Sequence, residues 1–265
     1  MSTYVISDIH GCYDTFLSLL KIINFTDSDC LILAGDYIDR GNQNYEMLQW
    51  ITHCPPNVHL LRGNHEEEFA AYVDLMLLVD HKEELDTDFS SNLDTTALYS
   101  SVDYFLHCKA QTTFFDSYHT INNLLAQYPV TLHDLCRWSA RIRQMPYYEK
   151  LFIGNRICVV VHAGYTEQLE TKNTRFHSLK QFYLYARDEV CQLGGIPHGM
   201  IIAGHTPTII KGAFAYNRGN VFRYYDDAMD CIFYDIDCGC VFQNQISDAK
   251  LACIRLEDEK IFYAY

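Results

Sequence analysis

The stretch Leu31-Ile32-Leu33-Ala34-Gly35-Asp36-Tyr37-Ile38-Asp39-Arg40-Gly41 passes from continuous apolar residues straight into a loop rich in acids, glycine and arginine. A short apolar run closed by glycine reads as a buried strand, and the change of composition at Gly35 marks its carboxyl end. The same transition occurs on both sides of it. Tyr4-Val5-Ile6 leads into Ser7-Asp8-Ile9-His10-Gly11, and Val58 to Leu61 leads into Arg62-Gly63-Asn64-His65-Glu66. Helical spacing over Thr15 to Ile23, Tyr45 to Ile51 and Glu66 to Val79 fills the intervals. Strand, loop and helix in threefold succession predict βαβ units, in which functional groups collect beyond the carboxyl ends of parallel strands.

Two later loops follow the same rule. Ile157 to Val161 ends at His162-Ala163-Gly164, and Met200 to Ala203 ends at Gly204-His205-Thr206. Together the loops offer Asp8, His10, Asp36, Asn64, His162 and His205, the oxygen and imidazole donors that divalent transition metals prefer, and a carboxylate between two ions can bridge them. A lone Asp-x-His is usually a turn or a surface pair; its recurrence with like loops at strand ends makes the chain read as a dinuclear metallohydrolase. Gly35, Gly41 and Gly63 read as turn residues that also let the backbone pass close to a bound ion.

Between these halves, residues from about 80 to 145 hold an acidic stretch with serine and threonine, then helical segments and no clear strand, which predicts a helical insertion or cap. Val221 to Tyr225, Cys231 to Ile236, Leu251 to Leu256 and Lys260 to Tyr265 read as successive short antiparallel strands. The expected fold class is α/β, a two-sheet sandwich flanked by helices. With no Pro/Gly/Ser-rich linker and no internal repeat, residues 1–265 read as a single domain carrying the insertion.

Composition narrows the function classes. No apolar run is long enough to span a bilayer and the first nine residues do not read as a signal sequence, so no membrane association is expected. The eleven cysteines include no CxxC pair, and Cys30, Cys158, Cys231 and Cys253 sit in strand-like runs; buried free thiols in a cytoplasmic protein are the expectation. A net charge of −14 disfavours an extended nucleic-acid surface but permits a small phosphorylated substrate beside a local cluster of cations.

In this order the five loops resemble the calcineurin-like metallophosphoesterase superfamily. Gly35-Asp36-Tyr37-Ile38-Asp39-Arg40-Gly41 and Arg62-Gly63-Asn64-His65-Glu66 resemble its phosphoprotein phosphatase branch, particularly the compact bacterial and phage serine/threonine phosphatases and the related symmetrical diadenosine tetraphosphatase. The resemblance covers most of residues 3 to 65 and 157 to 256, including Asp235-Ile236-Asp237-Cys238-Gly239. It implies that Asp8 and His10 hold one ion, that Asn64, His162 and His205 hold the other, and that Asp36 bridges. Manganese is the expected metal, with iron or zinc as alternatives. A hydroxide shared by the ions would attack phosphorus, His65 would protonate the leaving group with Asp39 orienting it, and Arg40, Arg62 and Arg187 would bind the phosphoryl oxygens. The first reading is therefore a serine/threonine protein phosphatase with a phosphoprotein or small phosphorylated substrate. Hydrolysis of diadenosine tetraphosphate or another nucleotide ester is second. A non-catalytic binding module is third, and it predicts loss of a metal ligand or of the acid, none of which is missing.

Overall fold

The computed structural model describes residues 1–84, 113–169, 174–210 and 212–265. Its first part alternates strictly: β1 (Thr3–Ile6), α1 (Tyr13–Ile22), β2 (Cys30–Leu33), α2 (Asn44–His53), β3 (Val58–Leu60) and α3 (Asn64–Glu84). Two helices follow, α4 (Thr113–Gln127) and α5 (Leu132–Arg143), then β4 (Tyr148–Ile153), β5 (Arg156–Val161), α6 (Leu179–Tyr185), α7 (Val190–Leu193) and β6 (Gly199–Ala203). The chain closes with β7 (Phe222–Asp226), β8 (Cys231–Asp235), β9 (Leu251–Arg255) and β10 (Lys260–Ala264). One five-stranded sheet has the order β10-β9-β1-β2-β3 and the other β4-β5-β6-β8-β7.

The central strands β1, β2, β5, β6, β8 and β9 are apolar on both faces because both faces are covered. Val5, Ile32, Ala252 and Ile254 of the first sheet meet Cys158, Val160, Met200, Ile202 and Ile232 of the second in a shared core. Their chain neighbours point the other way by the two-residue period of a strand. Tyr4, Ile6, Leu31 and Leu33 pack on the helices of the first half, while Val159, Val161, Ile201 and Phe233 pack under α6 and α7. Each such Val, Leu or Ile contributes about 1.5–3 kcal/mol by leaving water, enough collectively to fix strand register.

Register in turn positions the loops. β1, β2 and β3 are mutually parallel, as are β5, β6 and β8, so within each sheet the strands preceding the aspartate-, asparagine- and histidine-bearing loops end at the same edge. Among the described residues no helix is long and apolar enough to cross a membrane.

The structure departs from the sequence reading in three places. The four closing strands are not one antiparallel run. β7 pairs antiparallel with β8 in the second sheet and β10 with β9 in the first, while β8 lies parallel to β6. β4 was not expected, because Glu149 and Lys150 break its apolar pattern; it is an edge strand whose alternate residues face solvent. In the insertion, α3 extends to Glu84, and the Ile121 and Leu124 side chains of α4 and the Leu135, Trp138 and Ile142 side chains of α5 join the first sheet's helical core. Residues 85–112 of that insertion lie outside the described residues.

Candidate metal centre

Each loop turns sharply as it leaves its strand. Asp8, His10, Asp36 and His205 adopt φ of 54°, 47°, 54° and 72°, left-handed values that cost non-glycine residues about 1–3 kcal/mol each unless the surroundings hold them. The surroundings do so. The backbone N–H groups of Asp36, Tyr37 and Gly63 all donate to the Glu66 carboxylate, at 2.7, 2.8 and 3.0 Å, which ties the β2 and β3 loops to the start of α3. His10 N–H donates to Asp36 O at 2.9 Å and Gly204 N–H to His162 O at 2.8 Å. Two glycines allow the close approaches: a Cβ on Gly63 would collide with the Asp36 carboxylate, and one on Gly204 with that of Asp8.

This scaffold converges the six donors. His10 Nδ1 bonds the carbonyl of Ile38 at 2.9 Å and His162 Nδ1 that of Ala34 at 3.0 Å, so each ring donates outward and keeps the Nε2 lone pair for the site. His162 Nε2 lies 2.9 Å from Asn64 Oδ1 and 3.1 Å from His205 Nδ1. Asp36 stands between two groups: its Oδ2 is 3.6 Å from His10 Nε2 and its Oδ1 3.3 Å from His162 Nε2. Two compact sets of donors result, His10–Asp36–His65 and Asp36–His162–His205, with Asp36 common to both. Asp8 Oδ2 accepts from Ser7 Oγ at 2.6 Å and from His205 N–H at 3.0 Å, whereas its buried Oδ1 has no hydrogen-bond partner 4.0 Å from His10 Nε2.

Electrostatics call for cations here. Burial pushes the Asp8 and Asp36 carboxyls well up, helped by Asp237 beside the first and Glu66 beside the second. Burial likewise raises Asp237 to about 6, Glu66 to about 7 and Asp235 well above the ordinary range. The imidazoles shift the other way: burial, then Arg40 or Arg187, drives His10, His65 and His205 well down, and burial takes His162 to about 3. Neutral rings with inward lone pairs and buried acids short of counter-charge fit two divalent ions. Donors bound to one ion at about 2.1 Å stand roughly 3 to 3.4 Å apart, which matches the spacing around His162 and Asp36.

Beside the donors lies a cavity of about 400 Å³, walled by Asp36, Asn64, His65, His205, Arg40 and Arg187 and closed by Pro207, Ile210 and Phe242. His65 Nδ1 is 2.7 Å from Asp39 Oδ2, and its buried Nε2 has no hydrogen-bond partner. Burial raises Asp39 to about 6. Arg187 donates from Nη1 to His205 O at 3.2 Å.

Arg62 does not fit the expectation that it binds phosphate. Its Nη1 pairs with Glu67 at 2.9 Å, its Nη2 donates to the carbonyls of Arg143 and Met145, and its guanidinium stacks 4.8 Å over the Tyr147 ring. A cation satisfies the carbonyls at the end of α5 there, and Arg62 lies outside the cavity wall. Sequence reasoning also left several contributors without a role. Glu66 stood inside a quoted motif and Asp237 inside a quoted tail, so both carried a signal. Asp116 and Ser117 of α4 carried none; they reach Arg40 and Asp39 from the insertion, at 3.1 and 2.9 Å.

Comparison with known proteins gives the same direction. The family model described as calcineurin-like phosphoesterase matches residues 1–208. The symmetrical bis(5'-nucleosyl)-tetraphosphatases of Buchnera aphidicola and an Enterobacter species are 42% and 43% identical over 72 residues, 27% of this chain and 26% of each relative. The match thus spans about a quarter of these curated relatives. A solved structure described as a candidate diadenosine tetraphosphatase superposes with a TM-score of 0.55 at 16% identity, over 99% of this chain and 92% of that one. A metallophosphoesterase from Sphaerobacter thermophilus gives 0.53 at 13% identity, over 100% and 87%. At such identities the structural likeness is one of fold.

Proposed function

The chain belongs to the calcineurin-like phosphoesterase family, and from that premise we propose that it is a metal-dependent phosphomonoesterase acting on phosphoserine or phosphothreonine. In this reading Asp8 and His10 hold one divalent ion, Asn64, His162 and His205 the other, and Asp36 both. The donor set, without thiolate, suits manganese, and iron or zinc would also be accepted. When bound, the two ions supply positive charge that acidifies water and neutralises a phosphoryl group. Arg40 and Arg187 orient the phosphoryl oxygens from the cavity wall. Asp39 accepts from His65 Nδ1–H and favours the imidazolium, so that the ring would take a proton from water at Nε2 when the anionic substrate is bound and give it to the departing oxygen.

The observation that carries this reading is the buried His65–Asp39 pair, with a 2.7 Å bond on one ring nitrogen and the other ring nitrogen, at the cavity wall, without a hydrogen-bond partner among the described residues. A positioned proton donor matters most when the leaving group is an alkoxide, as from serine or threonine. A nucleotide leaving through a phosphate oxygen needs far less protonation. Hydrolysis of dinucleoside tetraphosphates is the second reading, favoured by the printed activity of the relatives that match over 72 residues. The free thiols among the described cysteines suit a reducing compartment, and we take the cytoplasm as its place.

The test is hydrolysis by metal-stripped protein restored with Mn²⁺, comparing phosphate release from a phosphoserine/phosphothreonine peptide with ADP formation from diadenosine tetraphosphate at matched concentration. Faster turnover of the peptide is expected. Preference for the dinucleotide would replace the first reading with the second, and turnover of neither would remove both.

A further inference from the structure

The described part of the insertion does more than cover the first core. Helix α4 directs two consecutive side chains at the groups that the proposed chemistry uses. Asp116 Oδ2 accepts from Arg40 Nε at 3.1 Å, while Arg40 Nη1 lies 3.1 Å from His10 Nε2. Holding Nε fixes the plane of the guanidinium, which lines the cavity and could offer a phosphoryl group charge-assisted bonds once an ion takes the His10 Nε2 lone pair. Ser117 is fully buried, and its Oγ–H donates at 2.9 Å to Asp39 Oδ2, the same oxygen that stands 2.7 Å from His65 Nδ1. Ser117, Asp39 and His65 therefore form one chain of hydrogen bonds from the insertion to the cavity. Ile121 and Leu124, buried on the same helix, anchor it to the first core, so α4 holds these contacts on a rigid support.

We propose that Asp116 and Ser117 are positioning residues for this site: Asp116 sets the Arg40 guanidinium for anion binding, and Ser117 sets the Asp39 carboxylate and through it the His65 ring for proton delivery. The proposal rests on reading the site as a phosphoesterase centre. It separates two effects that a generally loosened fold would merge. Loss of Asp116 acts on affinity for the phosphoryl group. Loss of Ser117 acts on leaving-group protonation, so its effect must grow with the basicity of the leaving oxygen.

The experiment compares wild type, Asp116→Ala, Ser117→Ala and Ser117→Thr, each full-length and restored with Mn²⁺. Inorganic phosphate binding is measured by calorimetry, and kcat and KM are measured with p-nitrophenyl phosphate and phosphoserine. Asp116→Ala is expected to weaken phosphate binding and raise KM about five- to tenfold, less than the loss of a direct charge-assisted bond because Asp116 acts on phosphate only through Arg40. Ser117→Ala is expected to lower kcat on phosphoserine about tenfold more than on the aryl ester, with phosphate binding kept, and Ser117→Thr is expected to restore the ratio. Unchanged phosphate affinity in Asp116→Ala overturns its role, and equal losses on both esters in Ser117→Ala overturn that of Ser117. Wild type that binds phosphate but hydrolyses neither ester overturns the phosphomonoesterase reading itself, while the calorimetric comparison still decides the Asp116 contact.

Discussion

At the scale of single residues, the two aspartates of the β2 loop have separable roles written into their contacts. Asp36 places one oxygen toward His10 and the other toward His162, whereas Asp39 bonds His65 and Ser117. Asp36→Asn is therefore expected to lower turnover and metal affinity together, because an amide gives one oxygen donor in place of two. His65→Asn is expected to lower turnover on an alkyl phosphate about 100-fold or more with both ions still bound. Metal content after dialysis, read beside kcat, separates the cases; full turnover of an alkyl ester by His65→Asn would end the general-acid assignment. Donors of this kind were legible in the sequence because metal chemistry admits few residue types and the loops repeat them at strand ends. Arg62, expected beside the phosphate, turns its side chain to the carbonyls ending α5, because adjacency in a loop says nothing of direction.

Elements set what those residues can do, and α2 shows how. Asp39 and Arg40 lie consecutively at φ of 73° and 66°, a strained pair held by one side chain at the start of that helix. Asn44 Oδ1 accepts from Asp39 N–H at 2.8 Å, and its Nδ2 donates to Gly41 O, also at 2.8 Å. Asn44→Ala should relax the turn, with a loss of about 1–3 kcal/mol in urea unfolding and a fall in kcat/KM of at least tenfold, since both the acid's support and a phosphate-binding arginine ride on that turn. Unchanged stability and activity would show that the Glu66 contacts alone hold the loop. Elements with a clean apolar period, such as β1, β2, β5 and β6, were legible within a residue or two. The split of the last four strands between two sheets was not, because period 2 gives which face a residue occupies and not which sheet it joins. The insertion's contribution was hidden for the same reason: Asp116 and Ser117 meet Arg40 and Asp39 across 76 and 78 residues of chain, and no local pattern records such a contact.

For the molecule as a whole, the site is a place where the fold concentrates buried negative charge, and stability should depend on pH and metal together. The sign follows from the buried acids. In the metal-free protein Asp8, Asp36 and Asp235 titrate well above their ordinary range and Glu66 at about 7, while the same groups in the unfolded chain ionise near pH 4. The folded state then binds more protons than the unfolded one, so stability falls as pH rises through the folded values. The buried histidines act oppositely, but their downward shifts matter only below about pH 6.5, where the unfolded rings take up protons. From about pH 6.5 to 7.5 the carboxyls dominate, with Glu66 losing its proton at about 7, and the metal-free protein should lose up to about 1 kcal/mol per pH unit for each carboxyl that deprotonates there. Divalent ions held by Asp8 and Asp36 as proposed would reverse this, because each proton lost from these carboxyls would uncover a ligand oxygen and metal affinity would rise with pH. Thermal melts with and without Mn²⁺ across that interval are thus expected to diverge as pH increases, the metal-free Tm falling and the increment from metal growing. A metal increment independent of pH would mean that the ions do not bind through these carboxylates.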